Sequence, residues 1–201
     1  MTDTFAMLGI SLLLCAGLLT LLSAWRWGKF LAVLAVLGYV LLWIPLGAAH
    51  IPVVAYVRGI TSDLSITLVM LSVWQIGRLA LGWRGIAKQE QITVMAVVAV
   101  AALFLYPLAL GWGDWDAYRP GWGSWGMLLG LLLLCTLCWL KGLRVLPALV
   151  AMALLAWSFG LMESTNLWDY LLDPWLSMYA LACVIHQVFI KCVRTASRCL
   201  R

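Results

Sequence analysis

Seven apolar runs, at about 6–24, 30–48, 64–81, 92–110, 125–140, 145–161 and 174–191, take up most of this chain, and each is bounded by Gly, Pro, Trp or charge. A bilayer's hydrocarbon core is crossed by a helix of roughly 20 residues, and in lipid every backbone polar group must be bonded within its own segment. The runs therefore predict membrane helices. Sixty-five per cent hydrophobic residues, 10% charged residues and a mean hydropathy of +1.03 lie far outside the range of a soluble domain, which could not hide so much apolar surface. The expectation is all-α: a polytopic membrane helix bundle of about seven transmembrane helices, with residues 1–201 as a single integral domain and no room for a separate soluble one.

The net charge of +5 and pI near 9.0 do not indicate a nucleic-acid partner, because the cations are spread in ones and twos beside apolar segments. Such spacing is a topology signal. Arg26, Lys29, Arg78, Arg84, Lys88, Lys141, Arg144, Lys191, Arg194, Arg198 and Arg201 fall on one side of the seven runs, and only Arg58 and Arg119 on the other. The positive-inside rule then puts the amino terminus outside and the carboxyl terminus in the cytoplasm. Asp3, Asp63, Asp114, Asp116, Glu163, Asp169 and Asp173 fall outside with the two isolated arginines, and Glu90 inside. The first run has no basic region ahead of it and no convincing small-residue cleavage site after it, so it reads as a retained helix and not a signal peptide.

The fifth and sixth runs are short. Read as one long helix, they would leave Lys141 and Arg144 in hydrocarbon, at about 2.5–3.5 kcal/mol each on an insertion scale. A hairpin turning at Lys141-Gly142-Leu143-Arg144 avoids this. Gly9, Gly17, Gly38 and Gly130 are small enough to let helices approach closely.

Chemistry collects in the outer connections. Gly111 to Trp125 reads Gly-Trp-Gly-Asp-Trp-Asp-Ala-Tyr-Arg-Pro-Gly-Trp-Gly-Ser-Trp, and Gly111-Trp112-Gly113-Asp114-Trp115 is echoed as Gly121-Trp122-Gly123-Ser124-Trp125. Trp112, Trp115, Tyr118, Trp122 and Trp125 around Asp114, Asp116 and Arg119 suit a sugar, with rings stacking on it and carboxylates accepting from its hydroxyls, while Arg119 could fork onto a phosphate or carboxylate. The plainer reading is an interfacial aromatic belt, with an Asp–Arg pair holding the loop.

In the first outer connection, Asp63 stands where a helix N-cap belongs. Arg58 either pairs with Asp63 or another outer acid, or awaits an anionic group such as a lipid phosphate. The last outer connection, Glu163 to Pro174, holds Glu163, Asp169 and Asp173. These acids could serve as acid and base or gather a cation, or they belong to a solvated loop in which Asp173 caps and Pro174 opens the final helix. Inside the runs, Gln75, His186 and Gln187 are polar groups that could line a transport path or bond across to a neighbouring helix. Cys135-Thr136-Leu137-Cys138 has redox-motif spacing, against simple small-residue packing. None of the six cysteines falls in an outer connection, so no disulfide framework is expected. Nothing in the sequence requires a metal or another cofactor.

The segment Arg58-Gly59-Ile60-Thr61-Ser62-Asp63-Leu64-Ser65 resembles an Arg-Gly-x-x-x-Asp-Leu-Ser pattern in the membrane anchors of bacterial phosphoglycerol transferases of the lipoteichoic-acid-synthase type. In that family a helical anchor carries a metal-dependent extracytoplasmic domain acting on glycerophospholipid headgroups. The resemblance spans those eight residues and implies an envelope setting and a similarly designed helix start. This sequence has no counterpart of the catalytic domain or its metal-binding nucleophile, so no catalytic residue is carried over.

The combined expectation is an accessory protein of a bacterial-type cytoplasmic (inner) membrane. Its outer face would handle or assemble a lipid-linked or glycan envelope component, with membrane lipids and other envelope proteins as partners. Two rivals are an enzyme acting on a lipid headgroup through Arg58, Asp114, Asp116 and Arg119, and a small-solute transporter using Gln75, His186 and Gln187.

Overall fold

A computed structural model describes residues 2–23, 30–47 and 50–199, with side chains through residue 193. Among the described residues the fold is all-α apart from one two-residue strand pair. In chain order the elements are α1 (Thr2–Ser23), α2 (Phe30–Leu42), β1 (Pro45–Leu46), β2 (Ile51–Pro52), α3 (Val53–Thr61), α4 (Ile66–Ala80), α5 (Lys88–Ala109), α6 (Trp125–Leu140), α7 (Val145–Ser158), α8 (Leu167–Leu171) and α9 (Pro174–Cys199). A 3₁₀ turn at Arg119–Gly121 precedes α6. Among the described residues three helices are long and apolar enough to cross a membrane: Thr2–Ser23, Lys88–Ala109 and Pro174–Val193. Four shorter apolar helices, α2, α4, α6 and α7, occupy the remaining runs.

The chain divides into two compact units, the first made of Met1–Gly85 with Leu149–Leu171 and the second of Ile86–Ala148 with Leu172–Arg201. In the first unit α1 packs against α2, α3 and α4. Its core is Ile10, Val54 and Leu64, surrounded by Met7, Leu42, Trp43, Val57 and Val69. A Cβ on Gly9 would press into Val69, and one on Gly38 would crowd Leu18, so both glycines set close helix approach as expected. Gly17 and Gly130 differ, since a Cβ on either would meet open space. In the second unit α5 packs on α9 through Val94, Met95, Val98, Ala99, Ala102 and Leu105, a stripe recurring every three to four residues.

Helix ends follow local chemistry. Ser65 caps α4 and Ser124 caps α6, each hydroxyl accepting a backbone N–H 3.2 Å away, from Leu68 and Met127 respectively. The helix breaks between α6 and α7, so Lys141 and Arg144 fall in a turn and not inside one long helix. Gly142 takes φ +75°, its N–H donates to the Trp139 carbonyl at 2.9 Å, and the Leu143 N–H donates to the Cys138 carbonyl at 2.9 Å. These are the two bonds of a Schellman motif, which glycine permits because it alone enters the left-handed region without cost. Gly111 after α5 and Gly160 after α7 close their helices in the same way. Asp173 takes the expected capping place for α9, its Oδ1 accepting the Leu176 N–H at 2.8 Å.

Several boundaries differ from the sequence reading. The run at 30–48 is helical only to Leu42, because Pro45 lacks an N–H and the chain then turns through the β1–β2 pair. At 1.5 Å per residue the 13 residues of α2 reach about 20 Å, short of a ~30 Å hydrocarbon core. The run at 145–161 stops at Ser158, where Gly160 reverses the chain. Conversely, α5 starts at Lys88, with Glu90 in its first turn opposing the positive end of the helix dipole. The connection that follows the run at 30–48 holds β2 and α3. The connection from Glu163 to Pro174 is no solvated loop: Asn166, Leu167, Tyr170 and Leu171 are buried, and α8 packs against α4. The basic connection Trp25 to Lys29 lies outside the described residues, as do Arg201 and the side chains of Arg194 and Arg198.

Candidate functional site

Two polar centres emerge, one in each unit. The first is built on Arg58, in the last turn of α3. Its Nε donates to Asp63 at 2.8 Å, Nη1 to Asp3 at 2.5 Å and Nη2 to Glu163 at 2.7 Å. All three nitrogens are thus engaged by carboxylates from separate places: the first turn of α1, the turn before α4, and the connection after α7. Hydrogen bonding to Asp63, reinforced by Asp3 and Glu163 and opposed by partial burial, pushes the Arg58 pKa above the ordinary guanidinium range. Arg58 is therefore a fixed cation, and of its two open sequence readings the structure selects pairing.

Asp63 is corrected in the same stroke. It stands two residues too early to cap α4, which Ser65 caps instead, and its carboxylate turns back to Arg58. The backbone between them is tight: Ser62 sits at φ +60°, ψ −168°, a region that L side chains rarely adopt, with its N–H donating to the Arg58 carbonyl at 2.9 Å. A small cavity of about 80 Å³ lies beside Asp63 between α1 and α4, bordered by Gly9, Val69 and Met162.

Glu163 is presented by a closed network. Ser164 Oγ donates to Asp169 Oδ2, the Asn166 N–H donates to Ser164 Oγ at 3.0 Å, and Asn166 Oδ1 accepts the Trp168 N–H at 2.9 Å. The fully buried Tyr170 hydroxyl donates to the Ser164 carbonyl at 3.0 Å and accepts the Met162 N–H at 3.1 Å. Buried polar groups that satisfy one another in this way specify one arrangement, so these acids serve local structure.

The second centre is the connection from α5 to α6. An open cleft of about 580 Å³ runs along it, with Gly111, Gly113, Asp114, Trp115, Asp116 and Tyr118 among its walls. The Trp115 ring leans on Phe104, centroids 5.4 Å apart, yet stays 53% exposed. Tyr118 and Trp122 meet edge to face at 5.3 Å. Asp116 Oδ1 accepts the backbone N–H groups of Tyr118 at 2.9 Å and Arg119 at 3.2 Å, which starts the 3₁₀ turn. The loop is held by that carboxylate-to-backbone pair and not by an Asp–Arg ion pair: among the described residues the Arg119 guanidinium makes none, and it does not line the cleft. Asp114 is exposed and makes no hydrogen bond among the described residues. Trp112 is 77% exposed.

The intramembrane candidates separate. Gln75 of α4 donates to Thr20 Oγ1 of α1 at 2.9 Å, and Thr20 in turn donates to the Ala16 carbonyl at 2.7 Å, so this amide is an interhelical tie. His186 is exposed on α9, Gln187 is half-buried, and neither makes a hydrogen bond among the described residues. Cys135 and Cys138 on α6 are free thiols. At the opposite end of the second unit from the cleft, Glu90 Oε1 accepts the Arg144 N–H at 2.9 Å, and the Arg144 guanidinium lies 5.4 Å from the Trp139 ring centre.

Of the sequence-nominated residues, Arg58 and Asp63 are thus joined in the first unit, and Asp114, Trp115, Asp116 and Tyr118 in the second. Asp3 and Glu163 were missed as the specific partners of Arg58, although an arginine isolated among acids was the signal for them. Phe104, the brace behind Trp115, had no signal in an apolar run.

Fold and surface define the class: an all-α chain with three helices able to span a bilayer, which suggests a multi-pass membrane protein. No family model, curated protein or solved structure matches the chain.

Proposed function

We propose that this is a seven-span protein of a bacterial-type inner membrane, amino terminus outside, whose outer face serves as a non-catalytic accessory in handling or assembling a lipid-linked or glycan envelope component. The observation that carries the reading is the Arg58 cluster. It gathers Asp3, Asp63 and Glu163, three acids that the charge distribution assigns to the outer side, at one end of the first unit's helices. The second unit agrees internally, since the Glu90–Arg144 contact ties the two basic connections at the end of α5 remote from the cleft.

An anchor-like role also suits the Arg58–Ser65 segment, whose resemblance implies an envelope setting. The lipid-headgroup enzyme is the weaker reading, because Arg58 is committed to carboxylates and Arg119 stands outside the cleft. The transporter loses Gln75 to the Thr20 tie. The short helices α2, α4, α6 and α7 would cross with their flanking residues and local bilayer thinning.

Mass spectrometry of envelope extracts from cells lacking the gene tests the role. An altered pool of lipid-linked or surface glycan, restored by the wild-type gene, is expected. An unchanged envelope under growth conditions that express the gene contradicts it.

A further inference from the structure

We infer that the cleft along the end of α5 and the connection that follows it binds a neutral saccharide ring, stacked on Trp115 and hydrogen-bonded through Asp114 and Asp116; this rests on the proposed glycan-handling role and names its ligand class. The inventory of donors and acceptors decides the class. The backbone N–H groups of Gly111, Trp112 and Gly113 are all spent, on the carbonyls of Leu108, Pro107 and Gly111 respectively. Those of Tyr118 and Arg119 are spent on Asp116. The backbone N–H groups of Asp114, Trp115 and Asp116 make no hydrogen bond among the described residues, but an anion approaching them would meet two carboxylates opposing it.

The acidic side chains of the cleft offer acceptors. Asp114 is free among the described residues, and Asp116 uses only Oδ1, leaving Oδ2 for a ligand. Ionised carboxylates accept and never donate, so the matching ligand brings hydroxyl or N–H groups. The half-exposed Trp115 ring, fixed by Phe104, supplies a flat apolar wall of the kind that the C–H face of a pyranose covers. The volume of about 580 Å³ lies within the range of small-ligand sites, about 300–1,000 Å³, and exceeds what a single ammonium group fills. Glycines at positive φ, Gly111 at +93° and Gly113 at +120°, keep side chains off this stretch of wall.

The test uses the full chain in nanodiscs of sugar-free phospholipid, because a maltoside detergent would compete. Saturation-transfer NMR is run with a panel of neutral hexose and N-acetylhexosamine trisaccharides, and binding to discs doped with a neutral diglycosyl lipid is measured in parallel. Saturable binding of a soluble trisaccharide identifies a free glycan, and binding only to the doped lipid identifies a glycolipid headgroup; both support the site. Affinity should fall at least tenfold in Trp115→Ala and several-fold in Asp114→Asn, with Trp139→Ala unchanged. Absence of binding to every probe, equal binding by the Trp115→Ala variant, or displacement of the sugar by a simple quaternary ammonium overturns the inference. An envelope defect in deleted cells alongside absent sugar binding would retain the accessory role and remove this site alone.

Discussion

Arg58 and Asp114 were nominated together from sequence, yet the structure gives them opposite duties. Arg58 organises three segments, so its loss strands Asp63, whose side chain is only 18% exposed, and releases the tethers to Asp3 and Glu163. Leaving a partly buried charged group without its partner costs about 1–3 kcal/mol. Arg58→Ala should therefore lower the melting temperature of the purified protein and its abundance in membranes, and Arg58→Lys should recover only part, since an ammonium cannot reproduce three divergent N–H directions. Asp114→Asn, which breaks no bond among the described residues, should leave both quantities unchanged. A stable Arg58→Ala protein would remove the clamp from the account. Nearby, Ser62→Gly should raise the melting temperature, because glycine occupies φ +60° without the strain of about 1–3 kcal/mol that a side chain carries there.

At the scale of elements, stability rests on caps and turns that apolar runs alone do not supply. Ser124→Ala and Asp173→Ala should each cost about 1 kcal/mol by removing the acceptor of an N-terminal helix N–H. Chemical denaturation followed by circular dichroism checks this, and an unchanged midpoint in both contradicts it. The same local chemistry explains what was legible beforehand. The break between α6 and α7 could be read because burying Lys141 and Arg144 is expensive, and the start of α9 because Asp-Pro is a helix-opening pair. α3 and β2 were hidden because Ala49 to Ser65 mixes apolar and polar residues over lengths too short to show a period, and β1 because Pro45 and Leu46 sit at the end of an apolar run. α8 was hidden because its acids suggested water, whereas Ser164 and Arg58 satisfy Asp169 and Glu163. The cleft was half legible: its residues were evident, but which donors remained free depended on backbone geometry no sequence pattern reveals.

At the scale of the whole molecule, the sequence alternates basic connections with acidic ones, and the proposed topology rests on that alternation. Cations resist transfer across the membrane, so in the proposed orientation the acids placed outside are left to pair with an isolated arginine or to meet a ligand. Reaction with a membrane-impermeant maleimide in intact cells tests this most directly, using Gly59→Cys, Trp112→Cys and Lys141→Cys in a background lacking the native cysteines. All three positions are exposed, and a Cβ on Gly59 meets open space. The account predicts labelling of the Gly59→Cys and Trp112→Cys variants in intact cells, and of Lys141→Cys only after permeabilisation. Gly59 and Trp112 reacting from opposite sides, or Lys141→Cys reacting in intact cells, would contradict it.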